Sequence, residues 1–246
     1  MNPFPTLKVG LVGTDDASAD EPSDACDIAG WPLGVTILII DNQNFNLNVP
    51  KKLILSDSDV SNILLNLSPE QCRQLISSLE EALKNYASDQ VSSEQNILRQ
   101  PHRSSIVNKL NDTTLVMPSS DTTNTAVKVV TLPQNGPATG AITVMERSGR
   151  LFRMLSAAQV TAFRTALAVM SLYAQVDHIS KKNIVCFGSG KQVQWHIRLA
   201  LLLSPLEIEN ITIINRGRSR LDQLAEDTIP LLRAKYPHVN FQLIAK

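Results

Sequence analysis

The chain has 246 residues, with 23 Lys plus Arg against 23 Asp plus Glu, a hydrophobic fraction of 43% and a charged fraction of 19%. That is enough apolar chain for one large or two small domains, and a zero net charge disfavours the basic surface that nucleic acid or an anionic membrane selects. The three cysteines, Cys26, Cys72 and Cys186, are odd in number and widely spaced, so they suit reduced thiols in a cytoplasmic protein and match no metal-ligand spacing.

Residues 1–51 carry the fewest signals. The stretch 15–27 is rich in Asp, Ser, Ala and Pro and reads as a poorly ordered N-terminal extension. The apolar run 35–40 is β-prone and reads as an edge strand or as an irregular tail. It is too short to span a bilayer, and the N-terminus lacks a basic region leading into an apolar core. A soluble, intracellular protein is expected.

Order begins near Leu53. Ser56-Asp57-Ser58-Asp59 offers N-caps to a short helix carrying Val60, Ile63, Leu64 and Leu65. Ser68-Pro69-Glu70-Gln71 starts a second helix, with Ser68 as cap, Pro69 at the first helical position and Gln71 three residues after the serine. Cys72, Leu75, Ile76, Leu79 and Leu83 then share one face. Residues 87–101 are polar and read as a loop.

Between Arg103 and Leu155 the pattern turns to short strands, at 113–117, 126–132, 141–146 and 151–155. Pro133-Gln134-Asn135-Gly136-Pro137 is a loop signal, and Ser148-Gly149 a hairpin turn. An antiparallel or mixed sheet with the two helices against it is expected. Ser156 is placed to cap a long helix over 157–178, with Val160, Phe163, Leu167, Met170 and Ala174 inward.

A β-α-β-α-β series follows: strand 184–187, helix 192–203, strand 211–214, helix 221–235 and strand 239–243. Such alternation predicts a parallel sheet with right-handed crossovers. Pro230 should kink the last helix or mark its division. A full doubly wound dinucleotide domain has six strands in the order 3-2-1-4-5-6. Only the first half is present here, so the first strand would lie at an open edge. Either the chain is a shortened version of a larger protein, or a partner covers that edge.

The first strand of this series ends in Gly188-Ser189-Gly190. Gly188 lets the chain leave the strand in a tight turn, and Gly190 lets the backbone approach a pyrophosphate held at the start of the next helix. The third small position of G-x-G-x-x-G is Val193, a departure. The competing reading is an ordinary strand-to-helix turn. The second strand ends in Asn215-Arg216-Gly217-Arg218-Ser219-Arg220. No acid stands there to hold ribose hydroxyls, and arginines suit a 2′-phosphate, which favours NADP(H) over NAD(H). A solvated basic helix start is the bland reading, but arginines at a helix N-terminus oppose its dipole.

Two motifs carry a resemblance. Thr161-Ala162-Phe163-Arg164-Thr165-Ala166, followed by Gly188-Ser189-Gly190-Lys191-Gln192, resembles the ornithine cyclodeaminase and mu-crystallin family. Gln100-Pro101-His102-Arg103, Met117-Pro118, and Lys128-Val129-Val130-Thr131 before Asn135 agree in order and spacing, over about residues 52–246. The resemblance implies an α/β chain: an α+β substrate-binding and dimerisation domain with a long linking helix (52–179), then a partial Rossmann-type parallel sheet (180–246).

It further implies that Arg103 and Lys128 meet the substrate carboxylate and that Arg164 lies near substrate and cofactor. Thr165, Gly188, Ser189, Gly190, Lys191 and Gln192 would hold the phosphates, and Asn215, Arg216 and Arg218 the ribose end. Without the resemblance, Arg103 reads as solvated and Arg164 as pairing with Glu146 or Asp177. Lys128 in an apolar strand is harder to explain structurally. None of the four histidines, His102, His178, His196 and His238, has a spaced partner, so each reads as structural or solvated.

The family includes cyclodeaminases that convert ornithine with bound NAD, and reductases of cyclic ketimines that use NAD(P)H. An acid two residues before Met-Pro tends to hold the ornithine amine in the former, and Leu115 stands there in this chain. The resemblance therefore implies an NAD(P)H-dependent reductase of a small cyclic ketimine amino acid, acting as a homodimer. The alternatives are a deaminating cyclisation, or a shortened remnant that binds cofactor or dimerises without turnover. The family's catalytic aspartate has no matching position.

Overall fold

Serine hydroxyls start the first two helices. The computed structural model describes residues 53–91 and 98–246. The expected disordered extension, the run 35–40 and Cys26 lie outside those residues. After the two-residue strand β1 (Ile54–Leu55), Ser56 accepts from the Asp59 amide at 3.2 Å, and Asp59 accepts from the Ser56 amide at 3.0 Å. This capping box opens α1 (Asp57–Leu65) and buries Val60, Ile63 and Leu64. Ser68 and Gln71 form the same reciprocal pair at 3.1 and 2.9 Å before α2 (Pro69–Val91).

Cys72, Leu75, Ile76 and Leu79 form the buried stripe of α2. The helix runs to Val91, so the loop expected from residue 87 starts too early.

Strands β2 (Ser104–Val107), β3 (Thr113–Ser120), β4 (Asn124–Leu132), β5 (Thr139–Glu146) and β6 (Leu151–Ser156) build one sheet in the order β1-β6-β5-β4-β3-β2. All neighbours are antiparallel except β1 and β6, which run parallel. The mixed sheet is as expected, and α1 lies on β1 and β6. Gly149, at φ +83, closes the β5–β6 turn, where its amide reaches the Glu146 carbonyl at 2.8 Å. The Ser156 hydroxyl, just before the next helix, donates to Asp57 Oδ1 at 3.0 Å, tying β6 to α1.

Helix α3 (Ala157–Gln175) follows, then β7 (Asn183–Phe187), α4 (Lys191–Leu203), β8 (Asn210–Asn215), α5 (Arg218–Asp227), α6 (Ile229–Lys235) and β9 (Asn240–Ala245). The three strands form a parallel sheet in the order β7-β8-β9. Its register is marked by Asn183, Asn210 and Asn240, whose side-chain amides bond in a row at 2.9 and 3.3 Å. The helix expected over 221–235 is two helices, divided at Thr228 with Pro230 in the first turn of the second. There proline costs no helical bond.

The described residues divide into two compact units, residues 53–164 and Thr165–Lys246, with the division falling inside α3. Ile184, Cys186, Ile211, Ile213, Leu221 and Phe241 are buried in the second. Among the described residues no helix is long and apolar enough to cross a membrane.

Candidate functional site

In the first unit, strand register gathers the candidate substrate residues. Met117, Lys128, Ile142 and Leu155 are successive partners across β3, β4, β5 and β6, so they share one face. That face is the buried one: Met117 is 8% exposed, Lys128 7%, Ile142 and Leu155 1%. An ammonium is thus built into an apolar row. Arg103 is half-buried and immediately precedes β2, whose first residue pairs with Val116. One further step along that register sets Arg103 beside Met117, two strands from Lys128. Neighbouring strands are about 4.8 Å apart, so the two cations start roughly 10 Å apart at their backbones and their side chains can converge on one carboxylate.

Arg164 is in the same unit, on α3, and only 7% exposed. Burial lowers its pKa from 12.5 to about 10, so it is still cationic at neutral pH. The pairings that its sequence reading offered are used elsewhere: Glu146 holds Arg150 at 2.7 Å, and Asp177 lies 4.0 Å from Lys181. Near these cations, Ser119 was not singled out from sequence, and Gln100 only as part of the motif before Arg103. Ser119 is 5% exposed and pairs with Ala126, one step along the Lys128 face. Gln100 Oε1 is buried with no partner among the described residues, three residues before Arg103. Burial of this kind is a tertiary property and leaves no local pattern.

In the second unit, the turn after β7 has the features a phosphate needs. Gly188 has φ +101, a conformation that side chains rarely tolerate, and its amide donates to the Ile214 carbonyl at 2.7 Å. Gly190 is the N-cap of α4, with no side-chain hydrogen bond to the helix start. The first-turn amides are therefore offered outward. Ser189 is 7% exposed, and its hydroxyl is buried without a partner among the described residues. Val193 accounts for its own departure from the motif: it is buried, and its methyl lies 3.6 Å from where a Gly188 side chain would begin.

The start of α5 repeats this design beside it. Gly217 is an N-cap without a side-chain bond, and the Asn215 amide braces the loop on the Gly217 carbonyl at 2.9 Å. Arg216, Arg218 and Arg220 are exposed around it. Arg218 leans on Asp222 at 2.8 Å, an exposed i,i+4 pair that an incoming phosphate displaces at small cost. Thr165 is half-buried and Lys191 exposed in this unit.

The glycine turn and the cationic strand row sit on a framework found in known proteins. Thermococcus litoralis Δ1-pyrroline-2-carboxylate reductase, in complex with NADH and L-proline, matches with a TM-score of 0.61 at 20% identity, over 79% of this chain and 57% of its own. Iminosuccinate reductase of Paracoccus denitrificans, in complex with NAD+, gives 0.58 at 15% identity, over 78% and 56%. A probable ornithine cyclodeaminase of Bordetella pertussis gives 0.57 at 14%, over 78% and 55%.

The chain shares their fold. It is the fold that the sequence motifs implied, a mixed α/β architecture ending in a Rossmann-like parallel sheet. By sequence, an uncharacterized protein of Saccharomyces cerevisiae is 26% identical over 174 residues, 65% of this chain and 46% of its own length. No profile of a known protein family matches the chain. The chain spans about half the length of these relatives.

Proposed function

We propose that this chain is the substrate- and cofactor-binding part of an NAD(P)H-dependent imine reductase, acting on a small cyclic ketimine that bears a carboxylate. The observation that carries this reading is the turn after β7: a glycine at φ +101, an uncapped glycine-started helix, and a buried serine hydroxyl with no partner among the described residues. Together they suit the pyrophosphate of a nicotinamide dinucleotide. Backbone amides of residues 190–192 and the Ser189 hydroxyl would hold it.

The bound nicotinamide supplies a hydride. This chain's own residues do the rest. Arg103 grips the substrate carboxylate through paired hydrogen bonds, and Lys128, fixed in the strand row, holds a proton for the imine nitrogen as hydride adds to the neighbouring carbon. Leu115 pairs with Val130 on the Lys128 face. That apolar neighbour suits a ring without a free amine, and so favours imine reduction over cyclisation of a diamino acid. Arg216 and Arg218 favour NADPH, and the bound NADH and NAD+ of the similar structures keep NADH as the alternative. The sheet's other face carries Val116, Val127 and Val129, an apolar surface suited to a second copy.

Following NADPH oxidation with a five- or six-membered cyclic ketimine carboxylate tests the reading. Turnover should fall at least about a hundredfold in Arg103→Ala and in Lys128→Ala. Equal rates in the double variant and the unaltered protein would exclude it.

A further inference from the structure

Helix α4 carries a second feature below its phosphate turn. His196 is 4% exposed, and its Nδ1 lies 2.8 Å from the Gln192 carbonyl oxygen. A carbonyl only accepts, so the ring proton is on Nδ1 and Nε2 is a bare lone pair. Nε2 is buried and meets no donor among the described residues. Gln192 Oε1 is in the same condition, one turn earlier on the same helix face. Burial also lowers the pKa of His196, against the raising effect of the carbonyl bond, so the ring keeps its lone pair at neutral pH.

Two buried acceptors at i and i+4 start about 5–6 Å apart at their Cβ atoms. A group that satisfies both must donate two protons within roughly 2.8 Å of each. Among the described residues no donor side chain reaches either atom. Water is the smallest group with that chemistry, and buried polar clusters of this kind retain it.

We propose that Gln192 and His196 hold one buried water between Oε1 and Nε2, and that through it His196 is a positioning residue for the phosphate turn. The positioning role rests on the cofactor reading given above. In that role, His196 fixes the Gln192 backbone through Nδ1 and its side chain through the water. The first turn of α4 then keeps its amides aimed outward, with the Ser189 hydroxyl left for the ligand.

A high-resolution crystal structure of the full chain, together with nitrogen NMR of the imidazole, reads the first part without any cofactor. Expected are a water within hydrogen-bond distance of both atoms and an Nδ1-protonated ring. A protein donor on Nε2, or an Nε2-protonated ring, overturns the proposal. Kinetics read the second part. His196→Leu should raise KM for NADPH about fivefold at unchanged kcat, and His196→Gln, which restores an acceptor, should bring it back to within about twofold. An unchanged KM in a folded His196→Leu variant overturns the positioning role. A chain that binds no NADPH fails the cofactor reading, whereas the water and the tautomer stand or fall separately.

Discussion

Gly188 is the residue where fold and proposed chemistry meet most tightly. Its φ of +101 is open to glycine and strained for other residues, whatever the space. The space itself is adequate, since an added Cβ would meet only Val193 at 3.6 Å. An alanine there is thus opposed by the backbone and not by packing. Gly188→Ala should lower stability by about 1–2 kcal/mol, roughly 2–8 °C in Tm for a chain of this size. It should weaken NADPH binding at least about tenfold, because relaxation of φ turns the following amides away from the phosphates. Calorimetry of folding and titration of the cofactor separate the two effects. A normal Tm with normal affinity would mean that the turn accepts a side chain and that its shape is not what recognises phosphate. Gly140 is the opposite case. A Cβ on it would overlap the Val129 carbonyl oxygen and lie 2.8 Å from Val130 Cα, so packing on the neighbouring strand requires glycine there.

At the scale of elements, the α2 start is the clearest case of local sequence setting local structure. Ser68 and Gln71 satisfy each other's amides at 3.1 and 2.9 Å, and both lie on the exposed end of the helix. Ser68→Ala removes one bond of the box and should cost about 1 kcal/mol, and Ser68→Asp should retain most of the stability. Urea unfolding of the two variants measures this, and equal losses in both would show that the box contributes nothing. Such starts were legible in the sequence because caps act over three or four residues. The β-α-β-α-β series was legible for a similar reason: strand and helix periods differ, and glycine marks the starts of α4 and α5. The missed elements lack any local signature. Strand β2 is exposed at all four residues, and β1 is two residues long and is held by parallel pairing with β6, about a hundred residues away. The glycine turn of the candidate site was equally legible, since a strand leaving in a positive-φ turn calls for glycine in sequence. Ser119, the Gln100 amide and the His196 lone pair were not, because only the folded surroundings decide that a polar atom is buried.

The molecule as a whole turns on α3. The helix runs unbroken over Ala157–Gln175, yet the division between the two compact units falls at Arg164 and Thr165. Val160 and Phe163 are buried before the division, and Leu167 and Met170 after it. The helix therefore supplies buried residues on both sides of the division. Helix formation is cooperative along its length, so the two units should unfold together. Trp195, buried in α4, reports on the second unit once Trp31 is replaced by Phe, and far-ultraviolet circular dichroism reports on both. The two urea transitions should coincide. Ala166→Pro, in the middle of α3, should cost about 3 kcal/mol and move both midpoints down by the same amount. If the Trp195 transition came first and the dichroism followed in two steps, the glycine-turn unit would be melting alone, and α3 would be a tether and not a shared core element.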